Sequence, residues 1–154
     1  MTEFTESEHD TIRLGAFGAI ALVSKADPGF FSTFKESMAG SQALAAAPES
    51  VRDLLRGGGF VSPPRGTPEQ VDAEVLDTLR QATALLDAKD PAAAAGYREV
   101  IRAASDAVAN ASKGVSDEER AVIARIEAAL TAAVPADAAG PTADAALPPA
   151  DSPA

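Results

Sequence analysis

The stretch TPEQVDAEVLDTLRQATALLDAKDP, residues 67–91, decides the fold. Thr67 can cap a helix, Pro68 suits its first position, and Gln70 completes a capping box. From there Val71, Val75, Leu79, Ala82 and Leu86 recur every three or four residues, which places them on one helical face. Asp90-Pro91 repeats the cap-and-proline signal. One helix therefore ends near Lys89 and another begins at once.

Both directions from this stretch read the same way. Downstream, Tyr97, Val100, Ile101, Ala104, Val108 and Ala111 keep the helical spacing as far as Lys113-Gly114, where the glycine suits a helix end. Ser116 to Glu119 is a second capping box, and Val122, Ile123, Ile126 and Leu130 form the stripe of the helix it opens. Upstream, Pro48 opens a short helix to about Arg56, carrying Val51, Leu54 and Leu55. Gly57 to Gly66 is a Gly/Pro loop in which Phe60 and Val61 can tuck back as a plug. Asp27-Pro28-Gly29 starts a helix running to about Gly40 or Ala46, with Phe30, Phe31, Phe34 and Met38 on one face. The first helix starts at the capping box Thr5 to Glu8 and runs to about Lys25. It is apolar nearly all round from Leu14 to Val23, so the expectation is that it is the most buried. Gly15 and Gly18 weaken a helix by about 1 kcal/mol each relative to Ala. Their presence predicts a neighbouring helix pressed against this segment, with a ligand contact as the alternative.

Composition agrees with the periodicity. About a quarter of the 154 residues are alanine, the best helix former, and aromatics are 5%. No strand pattern survives. After Val134 the chain is Ala, Pro, Asp, Gly, Ser and Thr with no base, and too little apolar surface to offset the entropy of ordering. The predicted fold is all-α: a single domain of five to six helices, orthogonal or bundle-like, over residues 4–133. Residues 134–154 are predicted to be a disordered acidic C-terminal tail.

Charge and residue inventory narrow the function. A net charge of −10 opposes nucleic-acid binding and anionic membrane surfaces, which need clustered Lys and Arg. It permits a basic protein partner. The absence of cysteine removes disulfides and thiol chemistry and fits a cytoplasmic location. The first ten residues are acidic, the reverse of a signal peptide, and the apolar run from Leu14 to Val23 is too short to span a membrane. His9 sits without an evident nucleophile, the triple glycine at Gly57 lacks the Lys-Ser/Thr of a phosphate loop, and no zinc-protease, hydrolase, dinucleotide or EF-hand motif occurs. Two sets of residues remain as candidates. Phe30, Phe31 and Phe34 form an aromatic face that either anchors the core or lines an apolar ligand site. Glu69, Asp72, Glu74 and Asp77 crowd one helix, where Glu69 and Asp72 can share a cation or simply face solvent.

Two turns carry a family resemblance. One is Ala21-Leu22-Val23-Ser24-Lys25-Ala26-Asp27-Pro28-Gly29. The other is Val108-Ala109-Asn110-Ala111-Ser112-Lys113-Gly114-Val115-Ser116-Asp117-Glu118-Glu119. Each is an alanine-rich helix end, a polar residue, Gly and a new helix. The second resembles the repeated turn of the TerB-like (tellurite-resistance) helical domains: Asp-Gly, an apolar residue, Ser or Thr, and Glu three positions later. The resemblance implies a helical interaction module associated with stress or membrane-proximal complexes, and acidic turns that bind a divalent metal. Asp27 and Glu119 match the acidic positions. Lys113 replaces the Asp of the second turn, and Pro28 separates Asp27 from Gly29.

The functional expectation is a non-catalytic protein-interaction module with an unidentified protein partner and no cofactor. The alternatives are a small-ligand protein using Phe30, Phe31 and Phe34, a divalent-metal protein using Asp27 and Glu119, and, last, a carboxylate-dependent enzyme.

Overall fold

A computed structural model describes residues 3–26, 42, 45–56, 62, 64–111 and 114–132. Within them are five helices and no strand: α1 (Glu6–Ala26), α2 (Glu49–Arg56), α3 (Pro68–Lys89), α4 (Pro91–Ala111) and α5 (Asp117–Thr131). The helix expected after Asp27, the plug at Phe60 and Val61, and the tail from residue 134 lie outside the described residues.

The punctuation works as the residue types require. Thr67 Oγ1 accepts from the Gln70 N–H while the Gln70 side chain accepts from the Thr67 N–H. The same reciprocal pair joins Thr5 to Glu8 and Ser116 to Glu119. Asp90 separates α3 from α4: its N–H donates to the Leu86 carbonyl, and its carboxylate accepts from the Ala93 N–H. Each cap satisfies donors that the first helical turn cannot satisfy internally.

α1 lies at the centre, touching each of the other four helices, with α3 as its main neighbour. The two run antiparallel. Glu8 pairs with Lys89 at one end and Lys25 with Asp72 at the other. Between them Gly15 lies against Leu79 and Ala82, and Gly18 against Val75. A Cβ at position 15 would sit 2.7 Å from the Tyr97 hydroxyl and 3.2 Å from the Leu79 Cα. The glycines of α1 therefore mark a close helix approach, as the packing alternative expects. Tyr97 is the largest fully buried side chain, and its hydroxyl donates to the Ile12 carbonyl at 2.7 Å. Burial raises the pKa of that hydroxyl far above its ordinary value, so it stays a neutral donor.

The buried stripes of α3 and α4 contain the expected residues from Val75 to Leu86 and from Tyr97 to Val108. Thr83 joins the first stripe, bonding back to the Leu79 carbonyl at 2.7 Å, and Ser105 joins the second. The expectation for α1 is corrected. It buries Ile12, Gly15, Ala16, Ala19, Leu22 and Val23, fewer positions than α4 buries. Phe17 is 45% exposed and Ala21 faces out. An all-round apolar helix needs neighbours all round, and the described ones cover only part of its circumference.

Candidate functional site

The uncovered side of α1 is a groove. Leu14, Phe17, Gly18 and Ala21 form one wall, Val71 and Val75 of α3 the other, and Pro64 closes an edge around a cavity of about 520 Å³. Local sequence explains the wall. Ile12, Gly15, Ala16, Ala19 and Val23 make one stripe at helical spacing, and Leu14, Phe17, Gly18 and Ala21 make a second, rotated from it. The missing side chain at Gly18 lets Val75 approach and deepens the groove floor. Phe17 is the one exposed large hydrophobic side chain among the described residues. Apolar surface of this kind marks contact sites on soluble proteins.

Each end of the groove carries a cation. The Arg13 guanidinium lies 3.3 Å from Asp10, and Lys25 lies 3.4 Å from Asp72. Asp72 also faces Arg125 at 3.9 Å. The acidic crowd on α3 is thereby divided: Asp72 is held by basic side chains, and Asp77 pairs with Arg80 one turn on. Among the described residues, no three His, Asp or Glu side chains gather as a metal would need.

Most of the residues singled out in the sequence cannot be placed against one another among the described residues. Phe30, Phe31, Phe34 and Asp27 lie outside the described residues. Glu119 is placed clearly: it is 1% exposed, and its carboxylate accepts from the Ser116 N–H at 2.7 Å. Its local role is the cap of α5. His9 lies edge-on to Phe4, with ring centroids 5.8 Å apart, and Lys89 sits over the same Phe4 ring. Lys89 also donates to Glu8, which with the Thr5 N–H holds the Glu8 carboxyl below its ordinary pKa. These contacts strap residues 3–5 onto the end of α3.

On the other side of the bundle, Arg102 of α4 forks onto the Glu127 carboxylate of α5, with contacts of 2.7 and 2.5 Å. That pairing raises the Arg102 pKa and lowers that of Glu127. The Arg98 guanidinium likewise forks onto the Asp87 carboxylate and also donates to the Leu130 carbonyl, tying α4 to α3 and α5.

The sequence contained a signal for the groove: a helix with two apolar stripes has one more than a single packing partner uses. What could not be read was which stripe stays open. No helix among the described residues is long and apolar enough to cross a membrane. Comparison with protein-family models, with curated proteins and with solved structures found no match.

Proposed function

We propose that this protein is a non-catalytic interaction module whose α1–α3 groove receives an apolar segment of a partner protein. The observation that carries this reading is Phe17, a large aromatic left half out of the core on the wall of a groove lined between its two end cations by apolar residues. An exposed aromatic beside a concave apolar surface is what protein interfaces use as an anchor. An amphipathic helix laid in the groove would cover the second stripe of α1 much as α3 covers the first. The resemblance of the turn at residues 108–119 to TerB-like domains points to the same class of function.

Photocrosslinking tests the reading. A benzophenone side chain in place of Ala21, in the full chain and in its native cell, is expected to give one discrete protein adduct. Phe17→Asp should reduce its yield about tenfold, the effect of losing a single interface anchor. The same probe in place of Glu118, on α5, should give no such adduct. Equal adducts from both positions, or an adduct indifferent to Phe17→Asp, would sink the proposal.

A small apolar ligand in the same groove is the second reading. Its support is the volume, about 520 Å³, within the range of small-molecule sites of roughly 300–1,000 Å³. Saturable binding of one apolar dye per chain, lost on Phe17→Asp, together with no crosslinked adduct, would favour it.

A further inference from the structure

We propose that the partner received by the α1–α3 groove is a second copy of this chain, whose own α1 docks antiparallel on the open stripe of the first. This identification rests on the groove being a protein-docking site.

The open stripe of α1 is its own complement. Asp10, Leu14, Phe17, Ala21 and Lys25 follow one another at steps of four, three, four and four residues, close to the 3.5-residue repeat of packed helix pairs. The side chains of Asp10, Phe17 and Lys25 are each about half exposed, and Ala21 faces out. Consider a two-fold axis between Phe17 and Gly18. Phe17 then falls on the other copy's Gly18, Leu14 on its Ala21, and Asp10 on its Lys25. Each large side chain meets a small one and each acid meets a base, and symmetry makes every contact twice. A parallel pair would set Asp10 against Asp10 and Lys25 against Lys25. Charge therefore selects the antiparallel arrangement.

The ion pairs within the chain permit this exchange of partners. Asp10 has Arg13 at 3.3 Å, and Lys25 has Asp72 at 3.4 Å. Lys25 can turn to the other copy without stranding Asp72, because Arg125 lies 3.9 Å from the same carboxylate. Gly18 and Ala21 keep the seam narrow, so the two helices can come close. The seam from Asp10 to Lys25 lies wholly within the described residues. At 1.5 Å per residue it is about 22 Å long. A strip of that length and one helix wide is a small interface, so the expected dissociation constant is weak, about 10–100 µM.

The test uses the full chain. Sedimentation equilibrium between about 1 µM and 1 mM should show a reversible monomer–dimer equilibrium. Phe17→Asp is expected to weaken it about tenfold, and Lys25→Asp by about threefold or more. The chain has no cysteine, so introduced thiols report the register. A mixture of Leu14→Cys and Ala21→Cys chains should oxidise mainly to the mixed disulfide, because those two positions face each other across the axis. Parallel packing would favour the disulfide of each chain with itself. Self-docking is overturned by a chain still monomeric at about 1 mM, by association indifferent to both Phe17→Asp and Lys25→Asp, or by mixed disulfide no more abundant than random pairing gives. A monomeric chain whose position 21 still crosslinks to a different protein would overturn self-docking alone and leave the groove reading standing. A monomeric chain with no adduct at all would remove both.

Discussion

A methyl group added at Gly15 would meet the Tyr97 hydroxyl at 2.7 Å, the Leu79 Cα at 3.2 Å and the Ala82 Cβ at 3.3 Å. The first contact is with the hydroxyl that donates to Ile12, and the second is backbone, so neither can yield without loss. Alanine is the better helix former by about 1 kcal/mol. At a close-packed crossing that gain competes with an overpacking penalty of about 1–3 kcal/mol. The penalty should win: Gly15→Ala is expected to lower the urea midpoint with an unchanged m-value, and a raised midpoint would disprove the crossing. Gly114 is different. Among the described residues no atom lies within 4 Å of a Cβ built there, but its φ of +133° is strained for any L side chain, so the backbone itself restricts the position. Two glycines in an otherwise apolar helix suggested the close approach. That Tyr97 is the neighbour was not legible, because nothing local links positions 15 and 97.

At the scale of the element, the ends of α3 and α5 are set by their own residues. Ser116 and Glu119 exchange hydrogen bonds with each other's backbone N–H. Removing such an N-cap costs about 1 kcal/mol. Ser116→Ala should lose about that much by chemical denaturation, and Glu119→Gln should lose less because its amide oxygen still accepts. If Ser116→Ala is neutral, the box contributes nothing to α5. The same substitutions bear on the metal alternative. A divalent cation bound through Glu119 would have to compete with the cap, and would show as a thermal shift that Glu119→Gln abolishes. The boxes were legible because they are contiguous. That Glu119 is also buried was not, since its cover comes from the packing of α5.

The whole molecule is strongly acidic, with 23 Asp and Glu against 13 Lys and Arg, and its inter-helix ion pairs take part in holding the bundle. Lys89 and the Thr5 N–H hold the Glu8 carboxyl low, and Arg102 holds that of Glu127 low. Depressed carboxylate pKa values stabilise the fold above the ordinary carboxylate range, and that contribution fades as pH falls through and below it. Lys89→Met keeps the aliphatic stem but loses the charge. It should lower the thermal midpoint near neutral pH, with the gap narrowing as pH falls through and below the ordinary carboxylate range and Glu8 takes up a proton. A gap independent of pH would assign the effect to the Phe4 contact instead. Phe17→Asp belongs to this scale as well. Its side chain is 45% exposed, so fold stability should hardly change while binding at the groove is lost.

By itself the sequence determined the all-helical class, the starts of α3, α4 and α5, and most of the buried stripes of α3 and α4. Those features depend on residues within a turn or two of each other: Thr67 with Gln70, Asp90 with Pro91, Val75 with Leu79. Only the tertiary structure decided which stripe of α1 is covered and which forms a groove, why Gly15 must lack a side chain, and that Ser105 is buried. Each of these depends on where a second helix lies, and helix packing joins residues far apart in the chain through shape and volume rather than through any local pattern.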